Sequence, residues 1–198
     1  MLSMKIHSYV VEHDVGFAPN PFWGFITLAN CKPKIRKYSK VGDVIIGTGS
    51  KNYRKQNFLV YWMRVKKIIT FDEYWSDPKY DIKKPDLYGS VFQQYGDNIY
   101  FTDSEGFIRQ KDSFHSLPNG IVSKGNLKRD VSSTNRVLIS DEFSYFGKSA
   151  PEIPSEFSDF VIKGQGHKNR FERSAANDFY RWLVGLGSRG LIDIPLGW

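Results

Sequence analysis

Residues 58–65, with the sequence FLVYWMRV, constrain the fold more than any other stretch of this chain. Successive side chains of a strand point to opposite faces, so alternate residues of this stretch would share a face. One face would carry Leu59, Tyr61, Met63 and Val65. The pattern predicts the strongest strand of the protein.

Shorter segments predict further strands at residues 5–12, 44–46 and 96–101, and another that opens at Arg136. The stretch between residues 101 and 110 predicts a hairpin, because Gly106 can form its bend. Residues 32–40, KPKIRKYSK, are interpreted as a basic connector.

Two segments predict helices. Thr70 would cap the first, because Glu73 follows at the spacing of a capping box, and Pro78 would close it. The second lies near the C-terminus and has an apolar stripe at helical spacing, which ends near Gly185 and Gly187. The stripe consists of Phe171, Ala175, Phe179, Trp182, Leu183 and Leu186.

Together these segments predict one α+β domain over residues 1–198. It would contain a curved mixed or antiparallel sheet, or a small β-barrel, flanked by helices that include the C-terminal one. No internal repeat or long linker divides the chain, and 198 residues suffice for a core without disulfides.

The composition bounds the chemistry. The single cysteine, Cys31, excludes an internal disulfide, and the four histidines show no zinc-ligand spacing, so we expect no metal and no cofactor. No apolar run approaches the ~20 residues of a membrane span. The first residues also lack the apolar stretch of a signal peptide. The expectation is a cytoplasmic protein that does not bind membranes.

Positive charge is concentrated in one part of the chain. The net charge is +7, and residues 31–67 hold eleven lysines or arginines but one acid, Asp43. From residue 101 onward the chain is near neutral, with 13 basic and 12 acidic residues. Such an excess favours a polyanionic partner, although it can also be a solvated face. The predicted phosphate ligands are Lys32, Lys34, Arg36, Lys37, Lys51, Arg54 and Lys55.

Two glycine-containing motifs are candidate ligand loops. In GTGS, residues 47–50, Gly49 would let a ligand approach the backbone, and Thr48 and Ser50 would offer hydroxyls. In GQGHKNR, residues 164–170, a base edge or phosphate would meet Gln165, His167 and Lys168. Either motif can instead be a glycine turn, and Asn169 can instead cap the helix.

A proline- and aromatic-rich stretch covers residues 13–36. Pro19 and Pro21 interrupt regular structure there and would hold the two rings that follow. The predicted aromatic cage for a base consists of Phe22, Trp23, Tyr61 and Trp75, and the predicted base-edge contacts are Asn20 and Asn30. The alternative is that these rings face the core.

Catalytic residues are not evident from the sequence. His13 and Asp14 are adjacent, but neighbouring side chains on a strand point apart, so a turn role for Asp14 is favoured. His167 is a further candidate if the protein is an enzyme. His115 shows no partner pattern, and Cys31 is interpreted as a buried thiol. The sequence therefore favours a protein without enzymatic activity, and leaves the question open.

The chain resembles a bacterial and phage family, the nucleotide-modification-associated domain of type 2. The resemblance covers about residues 9–182, and its most specific motifs are HDVGFAPNPF, CKPKIR, GDVIIGTGS and FDEYWSDPKY. The family is associated by genomic context with modified nucleotides in DNA, so the resemblance implies a link to DNA modification or phage defence. The order of elements in residues 39–80 is also similar to the PUA-like group of EVE, ASCH and YTH domains, which implies a pocket for a modified base.

The resulting prediction is a module that binds nucleic acid, DNA rather than RNA, and recognises a modified base beside a basic face. Two alternatives stay open: an enzyme of modified-nucleotide metabolism, either a transferase or a hydrolase, and a sensor of a free nucleotide. The sequence favours DNA without excluding RNA, and it does not predict the modification or the oligomeric state.

Overall fold

A computed structural model describes residues 4–164 and 166–198, and the chain packs into two compact units that are interleaved in sequence. Unit 1 comprises the chain up to Val15, Ser39–Lys66, and the chain from Ser140 onward. Unit 2 comprises Gly16–Tyr38 and Lys67–Ile139. Whether both fold as the single predicted domain stays a prediction.

Strands and short helices alternate along the chain. The strands are β1 (Ile6–Val10), β2 (Ile26–Leu28), β3 (Val44–Thr48), β4 (Leu59–Arg64), β5 (Lys67–Ile69), β6 (Tyr100–Thr102), β7 (Ile108–Gln110), β8 (Val137–Ser140), β9 (Phe143–Tyr145), β10 (His167–Lys168) and β11 (Gly190–Leu191). The α-helices are α1 (Pro33–Tyr38), α2 (Phe71–Ser76), α3 (Val91–Gln94), α4 (Lys124–Val131) and α5 (Arg173–Gly185). None of the helices within the described residues is long and apolar enough to cross a membrane.

Unit 1 is built on a six-stranded mixed sheet in the order β10-β1-β3-β4-β9-β11. Strands β1 and β3 pair in parallel, as do β9 and β11, whereas the other pairs are antiparallel. The prediction of an α+β protein with a mixed sheet is confirmed. The strands described here form open sheets, so the alternative of a closed barrel is wrong.

The core of unit 1 packs the last helix against the sheet. Helix α5 buries Ala176, Phe179 and Leu183, in a cluster that includes Trp62 of β4. The Phe179 ring stacks on the Phe160 ring with centroids 4.1 Å apart. The predicted helix is confirmed, but Glu172 rather than Asn169 caps it, because the Glu172 carboxylate accepts hydrogen bonds from the first backbone N–H groups.

Unit 2 contains a three-stranded sheet in the order β2-β8-β5, the hairpin β6–β7, and the four shorter α-helices. The capping box of α2 is confirmed: the Glu73 N–H donates to Thr70 Oγ1 at 3.2 Å, and the Thr70 N–H donates to Glu73 Oε2 at 2.7 Å. Most of the basic connector at residues 32–40 forms helix α1.

Candidate functional site

Three side chains from distant parts of unit 2 form a line of contacts. The Cys31 Sγ lies 3.6 Å from His115 Nε2, and the opposite ring nitrogen, Nδ1, lies 3.1 Å from Asp130 Oδ2. His115 and Asp130 are buried, and Cys31 is half-buried. A carboxylate at Nδ1 favours the tautomer with a proton on that nitrogen. The Nε2 lone pair is then available to the Cys31 thiol at 3.6 Å and to Arg129 Nη2 at 3.3 Å.

The backbone places Cys31 at the turn between β2 and α1. Cys31 and Lys32 have φ angles of 57° and 41°, in the left-handed region that few non-glycine residues occupy. The turn is held by Asp130, whose Oδ1 accepts the Cys31 N–H at 2.9 Å. One carboxylate thus orients both the imidazole and the backbone of the cysteine.

Arg36 braces the same turn from inside the unit. Its side chain is buried and donates to the carbonyl oxygens of Cys31 at 2.9 Å, Arg136 at 2.9 Å and Asp130 at 2.6 Å. Burial lowers the pKa of Arg36 to about 10. Because these bonds join the backbone at Cys31 to the end of α4, Arg36 sets the distance between the thiol and the carboxylate.

Asp130 is the charged centre of the cluster. Its Oδ1 accepts from Arg129 Nε at 2.9 Å, and its Oδ2 accepts from the Tyr100 hydroxyl at 2.9 Å. Burial alone would raise the pKa of Asp130, but the hydrogen bonds from His115 and Arg129 outweigh burial and lower it to about 2. Asp130 is therefore ionised at neutral pH.

The same surroundings keep the Cys31 thiol protonated. Burial, and then the negative charge of Asp130, raise the pKa of Cys31 to about 11. At neutral pH the cysteine needs a base to become a nucleophile. His115 Nε2 is the base within reach, at 3.6 Å from Sγ.

Arg129 lies beside both reacting atoms. Its Nη2 is 3.5 Å from Cys31 Sγ and 3.3 Å from His115 Nε2, and 41% of its side chain is exposed. The cysteine, histidine and aspartate also have the donor types of a metal site. However, the ring presents different nitrogens to Sγ and to the carboxylate, and Arg129 adds positive charge beside them. The cluster therefore fits an acid–base triad better than a cation site.

An aromatic edge adjoins the triad. The Phe17 ring meets the His115 ring edge-on with centroids 4.5 Å apart, and the Phe114 ring lies 5.5 Å from the Phe17 ring. Tyr95 contacts Phe114 from another side at 5.3 Å. Phe114 is 48% exposed, so a ring next to the cluster has a free surface on which a planar group could stack.

Unit 2 holds a second buried polar network, centred on Lys83. The Lys83 ammonium donates to the Asn20 backbone oxygen at 3.0 Å, to Asn20 Oδ1 at 2.7 Å and to the Phe25 oxygen at 2.8 Å. Burial lowers the pKa of Lys83, and the charge of nearby Asp97 opposes that effect. Asp97 in turn accepts from the hydroxyls of Thr27 and Tyr74.

A family model described as nucleotide modification associated domain 2 matches residues 3–198. The chain belongs to this family. No curated protein and no solved structure matches the chain. Membership of nucleotide modification associated domain 2 is consistent with a role in nucleotide modification, and the looser PUA-like similarity is not confirmed.

The family match spans both units, but the predicted base-binding residues of unit 2 are mostly internal. Asn20 and Asn30 are fully buried: Asn20 binds Lys83, and Asn30 Nδ2 donates to the Asp97 oxygen at 2.9 Å. Phe22 is buried against Phe92. These contacts support the alternative that the proline- and aromatic-rich stretch organises the core of unit 2.

The predicted cage rings occupy different surroundings. Tyr61 belongs to unit 1 and is fully buried, with its hydroxyl 2.9 Å from that of Tyr9. Trp75 of unit 2 stacks on Phe101 at 4.1 Å with the Lys84 ammonium over its other face. Trp23 alone among the four is exposed, at 39%. The described contacts therefore do not support a cage made from these four rings.

The GTGS motif in unit 1 is also explained by packing. Thr48 and Ser50 are buried, and their hydroxyls donate to the backbone oxygens of Tyr9 at 3.3 Å and Glu12 at 3.4 Å. A Cβ on Gly49 would lie 2.3 Å from the Lys55 oxygen, so glycine is needed for that close approach. These contacts support the turn interpretation.

The second glycine motif of the family member is only partly described. Gln165 lies outside the described residues. His167 pairs with β1 through the backbone and stacks on His7 with centroids 6.3 Å apart. Lys168 Nζ donates to the Asp159 oxygen at 3.3 Å and lies over the Phe171 ring. These contacts are within unit 1, and ligand binding at this motif stays a prediction.

His13 and Asp14 lie beyond the end of β1, and their surroundings differ. His13 is exposed, whereas Asp14 is buried and accepts hydrogen bonds from the Tyr145 hydroxyl and the Leu196 N–H. Burial raises the pKa of Asp14. The carboxylate anchors the end of the chain, a role closer to the turn interpretation than to an acid–base pair.

The predicted phosphate ligands divide by exposure. Arg36 is buried with its guanidinium bound to carbonyl oxygens, which does not support a phosphate contact. Lys32 and Lys55 are half-buried. The exposed members are Lys34, Lys37, Lys51 and Arg54.

The triad was missed because its members lie far apart in sequence. Cys31 and His115 are 84 positions apart, so no local spacing connects them. The one available signal was weak, because the chain has a single cysteine and no local spacing marks its histidine partner. That signal alone cannot identify the histidine.

Proposed function

We propose that the protein binds nucleic acid, DNA rather than RNA, through a basic surface of unit 2 formed by helices α1 and α4. The observation that carries the proposal is the distribution of charge on these two helices, which contact each other. Their exposed cations are Lys34, Lys37, Lys124, Lys128 and Arg129. Their one acid, Asp130, is buried and bound to Arg129.

This α1–α4 surface suits a phosphate backbone. When exposed ammonium groups neutralise phosphates, the counterions condensed on the nucleic acid are released. This release supplies affinity without sequence preference. Two of its cations come from the predicted basic run, and three come from the part of the chain that is neutral overall. The family description supports a nucleotide-containing partner.

Recognition of a modified base would use the exposed aromatic edge. Phe114 offers a stacking surface beside Phe17 and His115, and Trp23 is a second exposed ring of unit 2. A base that leaves the stack can be held on such a ring. A protein of this kind would serve DNA modification or defence against phage.

The test is fluorescence anisotropy with a labelled duplex, with and without 5-hydroxymethylcytosine, over a salt series. We expect affinity to fall as the salt concentration rises. The double variant Lys34→Gln/Lys37→Gln should reduce the slope of log affinity against log salt concentration by about 2. The matched control is Lys51→Gln/Arg54→Gln, which removes two exposed cations of unit 1.

Equal weakening by the two double variants would contradict the assignment to α1 and α4. Binding that is indifferent to salt would contradict the phosphate contacts. Equal affinity for both duplexes would contradict recognition of this modification, and a panel of other modified duplexes and free nucleotides separates a base reader from a nucleotide sensor.

A further inference from the structure

The α1–α4 surface contains a chemically complete group of side chains that binding alone does not require. A thiol, an imidazole and a carboxylate are in sequential contact, at 3.6 Å and 3.1 Å. The carboxylate is buried and held by Arg129 and Tyr100. A cysteine that only fills space in a core does not require a base next to its thiol. A histidine that only satisfies hydrogen bonds does not require a thiol next to its second ring nitrogen.

We propose that Cys31 is the nucleophile of a covalent acyl-transfer reaction, in which His115 is the general base and Asp130 orients His115. The arrangement has the three roles of a hydrolytic triad, assigned here by geometry rather than by position in the sequence. The brace from Arg36 to the backbone oxygens of Cys31 and Asp130 holds the thiol and the carboxylate at working distance.

The reaction balances with water as the only co-reactant. The thiol proton passes to His115 Nε2 as Sγ bonds to the carbonyl carbon of an amide or ester, and the carbonyl oxygen becomes an oxyanion. As the oxyanion collapses, the bond from carbon to the leaving nitrogen or oxygen breaks, and His115 protonates the leaving group. A thioester remains on Cys31.

Hydrolysis then regenerates the enzyme. His115 accepts a proton from water as the water oxygen bonds to the thioester carbon. The carbon–sulfur bond breaks, the proton returns to Sγ, and a carboxylic acid leaves. The sum is one amide or ester plus water giving one acid and one amine or alcohol, with no oxidation or reduction.

Arg129 is placed to stabilise the oxyanion. Its Nη2 lies 3.5 Å from Sγ, the atom to which the reacting carbon becomes bonded, and its side chain is partly exposed. A charged donor aimed at developing negative charge is among the larger contributions to catalysis. Arg129 is also a cation of the proposed nucleic-acid surface, which links binding to the reacting atoms.

The substrate class follows from that link, and this part rests on the proposed function. A thiol within a nucleic-acid surface would meet an acyl group carried by the nucleotide itself, such as an amide on the exocyclic amine of a base. The aromatic edge at Phe114 offers a stacking surface for that base. The proposed activity is removal of an acyl group from a nucleobase.

The chemistry is tested without nucleic acid, using p-nitrophenyl acetate and intact-protein mass spectrometry. Because Cys31 is the only cysteine, one acetyl group on sulfur identifies its site. We expect wild type to release p-nitrophenol and to form acetyl-Cys31, Cys31→Ala to form none, and His115→Gln to acylate ~10²–10⁴-fold more slowly. Equal acylation rates for wild type and a folded His115→Gln variant would overturn the proposal.

His115 is buried, so a second comparison avoids any variant. The same wild-type thiol is acylated in native protein and in urea-unfolded protein at one pH. A triad predicts faster acylation in the folded chain, despite the raised pKa of Cys31. Faster acylation of the unfolded chain would overturn the assignment of Cys31 as a nucleophile.

The substrate is tested with an oligonucleotide that contains N4-acetyl-2′-deoxycytidine. We expect release of the acetyl group by wild type and not by Cys31→Ala. If p-nitrophenyl acetate acylates Cys31 but the bound oligonucleotide is not deacetylated, acetylcytosine is not the substrate. The assignment of Cys31 as the nucleophile would still hold. A chain that is acylated but does not bind the oligonucleotide would overturn the proposed function instead.

Discussion

Units 1 and 2 bury their polar groups in different ways. In unit 1 the core is a stack of rings, such as Phe160 on Phe179. Its buried carboxyls include Asp14, which accepts hydrogen bonds from a hydroxyl and a backbone N–H, and Asp43, which lies 3.5 Å from His7. In unit 2 the buried groups include Arg36, Lys83 and Asp130. Buried charge is expensive unless it is paired, so unit 2, which also buries an arginine and a lysine, depends on the hydrogen bonds that hold these two side chains.

The contrast assigns different roles to the units. A core of rings and aliphatic side chains needs only shape and volume, as a scaffold does. Charged side chains held by several partners define distances and protonation states, as an active site requires. The candidate chemistry of this protein therefore belongs to unit 2.

The largest expected effect comes from the Lys83 network. Lys83→Met should lower the free energy of unfolding by about 3–5 kcal/mol, because three buried oxygens and Asp97 lose their cation. Urea denaturation measures the change. The control is Lys163→Met, an exposed lysine, with an expected effect within about 0.5 kcal/mol. Similar effects of the two variants would contradict the contrast between buried and exposed charge.

The next effect is the pH dependence of Asp130. Its pKa is lowered from 3.8 to about 2, so the unfolded chain binds more protons than the folded chain between those values. Asp130 should therefore contribute about 2 kcal/mol above pH ~4 that is lost as pH falls through ~2. Urea unfolding at a series of pH values measures this contribution. In Asp130→Asn, the free energy of unfolding should depend less on pH below pH ~4 than it does in wild type.

Asp14 of unit 1 should respond with the opposite sign. Its folded pKa is raised by burial, so its contribution to stability decreases as pH rises through that folded value. As pH rises, wild type should lose stability through Asp14 and gain stability through Asp130. Asp14→Asn should remove that loss in the free energy of unfolding, whereas Asp130→Asn should remove that gain. Changes of the same sign in both variants would break the distinction between the two carboxyl groups.

A smaller effect is expected at the start of α2. Thr70→Ala should destabilise the protein by about 1 kcal/mol, because the Glu73 N–H loses its side-chain acceptor. Thermal unfolding measures it, with Thr70→Ser as the control that keeps the hydroxyl. Equal loss in both variants would show that the methyl group, and not the cap, matters at this position.

The smallest stability effect is expected at Trp23. The side chain is 39% exposed, so Trp23→Leu should change the free energy of unfolding by within about 0.5 kcal/mol. If Trp23 stacks on a base, the same variant should weaken oligonucleotide binding by about 1–3 kcal/mol. Unchanged binding would remove Trp23 from the proposed aromatic contacts and leave Phe114.

Local features of this protein could be predicted from sequence. Strand β4, the capping box of α2 and helix α5 each depend on neighbours within a few residues, so their patterns are visible in the chain. The number of charged residues could also be counted from sequence, but their burial could not. Arg36 and Lys37 are adjacent cations on α1, yet Arg36 is buried and Lys37 is exposed. Only the packed structure separates them.

The candidate site depends on contacts that sequence does not encode locally. His115 and Asp130 can be identified as site residues only because the turn before α1 places Cys31 next to His115. Asn20 and Asn30 look like base-edge ligands until a lysine some 60 residues away, and then Asp97, are found beside them. Side-chain type predicted the chemistry available, and tertiary packing determined which groups meet.

The most direct test of the central claim is a protection experiment on Cys31. The claim is that the thiol lies within the nucleic-acid surface of unit 2, and the single cysteine makes its alkylation by iodoacetamide unambiguous. The rate of alkylation is measured by mass spectrometry at mildly alkaline pH, with and without a saturating oligonucleotide. We expect bound oligonucleotide to slow alkylation several-fold. An oligonucleotide that binds yet leaves the alkylation rate unchanged would show that Cys31 lies outside the nucleic-acid surface.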